Sequence, residues 1–163
     1  MGYMNFKNPA LEKLFKSFKW ARNNTIEMFE KADDNGILDY KASSKKFTFQ
    51  PIIWQFQCIV TTTDTYYRIL TNNKNKKFGI LVRNDEVIQK RNIKKQEISY
   101  ILKQQLIELE KLLKDFDEKK FEENVNKIQA ISNHEYMHHG ILLLMFREAG
   151  VDLPERFRKA FAL

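Results

Sequence analysis

Apolar residues return at three- and four-residue spacing through four separate stretches of this chain, and that period commits it to packed amphipathic helices. In the first stretch Leu11, Leu14, Phe15, Phe18, Ala21, Arg22, Thr25, Met28 and Phe29 share one face. Pro9 precedes them, where a first helical turn tolerates it. Asp33-Asp34-Asn35-Gly36 should end this helix, because glycine takes the left-handed cap conformation readily. Residues 37–50 include Ser43-Ser44-Lys45-Lys46, show no period and read as a loop running up to Pro51.

From Ile52 to Leu70 the residues Ile52, Phe56, Ile59, Thr63, Tyr66, Tyr67 and Leu70 line one face of a second helix, despite the β-leaning run Thr61-Thr62-Thr63. Residues 72–92 are open to two readings. Phe78-Gly79-Ile80-Leu81-Val82 and Val87-Ile88 flank Asn84-Asp85, so a short hairpin and an extended crossover both fit. Asn92 reads as the cap of a third helix whose stripe is Ile98, Leu102, Leu106, Leu109 and Leu113. A fourth helix is expected from Glu123 to Ala149, with Val125, Ile128, Ile131, His138, Leu142 and Met145 inward and Gly150 as its stop. The run Ile141-Leu142-Leu143-Leu144-Met145-Phe146 is apolar nearly all round and is expected to be buried. Asp152-Leu153-Pro154-Glu155 then opens a short terminal helix, Glu155 to Phe161. The fold class is therefore all-α: a four-helix bundle with a long crossover between helices 2 and 3 and a short C-terminal helix.

No internal repeat, low-complexity segment or shift in composition divides residues 1–163, so one domain is expected. A chain of this size buries roughly 70% of the surface its unfolded form exposes, enough for a core without disulfides. Five Gly, three Pro and thirteen Phe exclude a collagenous or disordered chain. No run of about 18 apolar residues is present, and residues 1–8 lack the pattern of a signal peptide. The lone cysteine, Cys58, has no internal partner and suits a reducing cytosol, so a cytoplasmic location is expected.

The net charge of +7 invites a nucleic-acid reading, but 21 of the 28 basic residues are lysine and only 7 are arginine. Lysine is a solvated point charge, whereas arginine is the forked reader of phosphates and bases. The basic residues also alternate with acids except in Lys74-Asn75-Lys76-Lys77 and Lys90-Arg91-Asn92-Ile93-Lys94-Lys95. A solvated surface is the expectation, with neither nucleic acid nor membrane as a partner.

All three histidines, His134, His138 and His139, fall within six positions of the fourth helix. His134 and His138 are four apart, which puts their imidazoles on one face at a spacing where both can bind one ion. His139 is turned away by about 100°. Two buried histidines satisfied by tyrosines or carbonyls are the alternative reading of the pair. His134-Glu135-Tyr136-Met137-His138 also satisfies the H-E-x-x-H pattern, in which the Glu activates a metal-bound water. A zinc peptidase further needs a third ligand, for which Glu148 and Glu155 are at hand, and an edge strand for its substrate, which the helical pattern does not supply. Met137, Tyr136 and Tyr66 read as core or pocket wall.

Asn133-His134-Glu135-Tyr136-Met137-His138-His139-Gly140, followed by Arg147-Glu148-Ala149-Gly150-Val151-Asp152-Leu153-Pro154, resembles the fourth helix and tail of the DinB-like superfamily. Trp54-Gln55-Phe56-Gln57-Cys58-Ile59 with Thr63-Asp64-Thr65-Tyr66-Tyr67-Arg68 is similar to that family's second helix. The resemblance implies a bundle holding a divalent metal on three histidines, one from the second helix and an H-x-x-x-H pair from the fourth. It also implies kinship with transferases and isomerases that use glutathione, mycothiol or bacillithiol as a metal-activated thiol. His134 and His138 match the pair, and Cys58 stands where the family has its second-helix histidine.

A thiolate ligates zinc and softer ions well, so a His2Cys site with an open fourth position is chemically sound. Alternatively Cys58 is a small buried hydrophobe beside a two-histidine remnant. Gln57 and Asp64 are the other second-helix donors if the register is shifted. Ile141 stands where relatives often carry a Gln that supports a ligand histidine, a second departure. The implied function is a metal-binding bundle (zinc, nickel or manganese), with a low-molecular-weight thiol and an electrophile as small-molecule partners and Glu135 at most a base beside the metal; the phenylalanine-rich composition adds a homodimer as the expected assembly. The rival reading is a non-catalytic bundle with a degenerate site that acts as a dimeric or stress-linked binding module.

Overall fold

The computed structural model describes residues 5–42, 49–73 and 93–161. These form five helices and, among the described residues, no strand: α1 Pro9–Asp34, α2 Ile52–Leu70, α3 Lys95–Lys114, α4 Glu118–Glu148 and α5 Glu155–Phe161. No helix among them is long and apolar enough to cross a membrane.

Local chemistry sets the helix ends. Asn8 accepts the backbone N–H groups of Ala10 and Leu11 on Oδ1, while its amide donates to Glu118 at 2.6 Å, tying the starts of α1 and α4 together. Gly36, at φ 67°, turns the chain after α1, and Gly150, at φ 69°, does so after α4. The fourth helix begins more than a turn earlier than its apolar pattern indicates, at Glu118 rather than Glu123, because Asp117 caps it by accepting the Lys120 N–H at 2.9 Å. The third begins at Lys95 and not behind an Asn92 cap, and Asn92 lies outside the described residues. The same holds for 74–92, on which the choice between a short hairpin and an extended crossover turns.

Helix α1 packs on α3 and α4, α2 packs on the same two, and α1 and α2 touch each other only briefly across the bundle. The core falls into two apolar clusters. One joins the C-terminal half of α1 (Met28, Phe29) and the N-terminal half of α2 (Ile52, Phe56) to the start of α3 (Ile98, Leu102) and the end of α4 (Leu142, Phe146), with Leu38, Ala42 and Phe157 against them. The other joins Leu11, Phe15 and Phe18 to Tyr67, Leu109, Leu113, Ile128 and Ile131. This membership fixes the directions: α1 and α4 run one way, α2 and α3 the other. Leu70 and Lys95 therefore lie at opposite ends, which is the long α2-to-α3 crossover of the expected bundle.

Between the clusters lies a polar layer centred on Arg22, which is fully buried. Its Nε donates to both Glu135 oxygens at 2.8 and 3.2 Å, Nη1 to Gln105 Oε1 at 2.9 Å and Nη2 to Thr63 Oγ1 at 2.8 Å. One guanidinium thus bonds a side chain from each of the other three long helices. Five fixed donors in a plane make arginine the residue able to do this.

The apolar run on α4 is not buried all round. Leu144 is 50% exposed and Met137, expected in the core or a pocket wall, is 53% exposed. Both lie on the outer flank of a helix that needs only its inner face for α1 and α2.

Candidate metal centre

The site lies where α2 and α4 pack together. The Thr61-Thr62-Thr63 run lies within the helix, where Thr61 donates its hydroxyl to Gln57 O at 2.9 Å and Thr63 to Ile59 O at 2.8 Å, each one turn back. Thr62 instead directs its hydroxyl at His134 Nε2, 3.4 Å away. With the helix intact, Cys58 sits one turn before Thr62 on the same face.

Across from it, His134 and His138 project from α4 toward Cys58. Cys58 Sγ is 3.6 Å from His134 Nε2, and His134 Nε2 is 3.2 Å from His138 Nε2. The two imidazole centroids are 4.5 Å apart at 70°. One donor atom from each of the three residues lies within 4.8 Å of the others, a group that could hold a metal ion. Tetrahedral zinc with bonds of about 2.0–2.3 Å separates its donors by about 3.3–3.6 Å, so the spacing fits such an ion with small side-chain adjustments. Cys58 and His138 are buried and His134 is half-buried, so the site opens on the His134 side.

His138 is held from behind. Its Nδ1 is 2.8 Å from Gln55 Oε1, and the Gln55 amide nitrogen donates to Gln50 O at 3.1 Å. The half-buried Trp54 ring flanks the same imidazole, 6.4 Å between centroids.

The other candidates are engaged elsewhere. Gln57 donates to Ile93 O at 2.8 Å, and Asp64 forms an ion pair with Arg68 at 2.8 Å. Glu135, expected at most as a base beside the metal, is turned into the polar layer instead, where Arg22 and the Thr25 hydroxyl occupy its carboxylate. It follows His134 by one residue and so points about 100° away around the helix. The carboxylate is thus not turned toward the His134–His138 pair, as the H-E-x-x-H pattern requires of a glutamate that activates a metal-bound water.

His139 belongs to that layer, not to the metal group. The Thr25 hydroxyl donates to Glu135 and accepts the His139 Nε2–H at 2.8 Å. His139 Nδ1 has no hydrogen-bond partner among the described residues. Burial pushes the pKa of His139 below its ordinary value. The Glu135 carboxylate opposes that shift and the Arg22 charge adds to it.

Sequence reasoning missed Gln55 and Thr62. Gln55 lies one turn before the Ile59 position and three before Cys58, so its proximity to a ligand was available, but its direction was not. Ile141, singled out from the sequence as a departure from the family the chain resembles, packs against the apolar cluster, and the hydrogen bond to His138 comes from Gln55 on α2.

No family model matches this chain, and neither does any curated protein or solved structure.

Proposed function

We propose that this chain is a DinB-like divalent-metal protein that binds its ion through Cys58, His134 and His138 and acts on a low-molecular-weight thiol and an electrophile. The observation that carries the reading is the convergence of one thiol and two imidazoles from two helices, Cys58 and His134 being 76 positions apart, with one ligand atom of each within 4.8 Å of the others. A thiolate with two imidazoles favours zinc over manganese and leaves a fourth position open. A metal there would supply Lewis acidity, lowering the pKa of a thiol that enters that position.

The chain's own residues do the rest. As a ligand Cys58 would contribute one negative charge and the two imidazoles none, so the site holding a divalent ion would carry a net charge of about +1, which favours an anionic fourth ligand. Thr62 lies against His134 on the open side, where its hydroxyl can accept or donate to an incoming sulfur or oxygen. Glu135 takes no part in this chemistry, since its carboxylate is committed to Arg22. The same reading has the bundle as a cytoplasmic homodimer, which sedimentation of the purified protein checks.

Elemental analysis of tag-free protein purified without chelator tests the site. About one equivalent of metal in the wild type, lost in both Cys58→Ala and His134→Ala, is the expected result. Metal retained in Cys58→Ala would remove the α2 ligand from the assignment. No metal after incubation with zinc, nickel or manganese would overturn the function, and the bundle would stand as a non-catalytic binding module.

A further inference from the structure

We propose that Gln55 is the positioning residue of this site: it holds His138 in the Nδ1–H tautomer and so turns the Nε2 lone pair toward Cys58 and His134. The inference rests on the metal-site reading for its purpose, but on hydrogen bonding alone for its physics.

A glutamine amide can face a histidine with either end, and the end it presents decides the tautomer. Here the choice is made by a third group. The Gln55 amide nitrogen donates to the Gln50 carbonyl at 3.1 Å, and a carbonyl can only accept. The Oε1 end is thereby left for His138 Nδ1 at 2.8 Å, and an amide oxygen can only accept, so Nδ1 must carry the proton. A neutral imidazole protonated at Nδ1 has its lone pair on Nε2, the nitrogen 3.2 Å from His134 Nε2. Gln55 and His138 are 2% and 1% exposed, so no bulk water competes for the bond between them. The chain Gln50 C=O, Gln55 amide, His138 imidazole therefore sets the donor direction from a backbone group at the mouth of α2.

The neutral amide also has an electrostatic consequence. A carboxylate in its place would still accept from Nδ1–H, but it would have no N–H for the Gln50 carbonyl and would add a second negative charge beside the one from Cys58. With glutamine the loaded site keeps its net positive charge and its attraction for an anionic fourth ligand.

Two measurements on the 163-residue chain decide this. Long-range 15N correlation spectra of metal-free protein should show His138 as the Nδ1–H tautomer in the wild type and in Gln55→Glu, and as the Nε2–H tautomer in Gln55→Leu. Competition with a chromogenic zinc chelator should show zinc affinity reduced roughly 10- to 100-fold in Gln55→Leu and undiminished in Gln55→Glu. An Nε2–H tautomer in the wild type, or a Gln55→Leu protein with unchanged tautomer and zinc affinity, would overturn the proposal. Should Gln55→Leu fail to fold, the wild-type tautomer and the Gln55→Glu spectrum still decide it. A wild type that shows the Nδ1–H tautomer yet takes up no zinc would sink the metal function while leaving the Gln55 assignment standing.

Discussion

Arg22 on α1 and Glu135 on α4 form an ion pair of 2.8 Å at the centre of the bundle, with both side chains 1% exposed or less. The pair divides the two apolar clusters, and its remaining donors reach α2 and α3. Breaking one side of a buried pair leaves an uncompensated charge, which typically costs about 3–5 kcal/mol. Glu135→Ala should therefore lower the unfolding free energy by about that amount in urea titrations. The double variant Arg22→Met, Glu135→Leu should recover most of the loss. A Glu135→Ala protein as stable as wild type would show that Arg22 finds another partner.

Zinc should stabilise the fold through the three-residue site. At a free concentration about 100 times its dissociation constant, a ligand specific to the native state adds about 2.7 kcal/mol, or on the order of 5–10 °C in Tm for a chain of this size. Thermal melts with zinc and with chelator should differ by that amount in wild type and coincide in His138→Ala. Equal shifts in both proteins would place the zinc elsewhere.

His139 should make stability pH-dependent. Its folded pKa is lowered from 6.5, so between pH 6.5 and the folded value the unfolded chain binds a proton that the native state refuses. Stability from this residue is complete above pH 6.5 and is lost as the pH falls toward the folded value. Metal-free wild type should lose more stability between about pH 7.5 and about pH 5 than His139→Gln, which keeps a side-chain donor for Thr25 but does not titrate. Parallel losses in the two proteins would remove His139 as the cause.

Asp117 should contribute as a helix cap. Asp117→Ala removes the acceptor for the Lys120 N–H and is expected to cost about 1 kcal/mol, whereas Asp117→Asn, which retains an oxygen, should cost only a few tenths. Chemical denaturation of the two variants separates the cap from the charge. A larger effect of the Asn variant would assign Asp117 an electrostatic role instead.

Helix identity, order and most boundaries were legible in the sequence because they are local. The three-four spacing from Leu11 to Phe29 and from Ile52 to Leu70 forms a buried stripe whatever it packs against, and Gly36 and Gly150 stop the chain by their own backbone freedom. The i, i+4 spacing likewise placed His134 and His138 together, and resemblance to a known second helix singled out Cys58. Tertiary structure decided which polar residues meet. Arg22 could be placed on the inner face of α1, but Glu135, Gln105 and Thr63 are 113, 83 and 41 positions away, and no periodicity encodes such pairings. The direction of Glu135, away from the metal group and onto Arg22, and that of Gln55, onto His138, follow from where neighbouring helices put a charge or a lone pair. A short-range pattern reports which face of a helix is buried, while a buried polar group's role is set by its partner across the core.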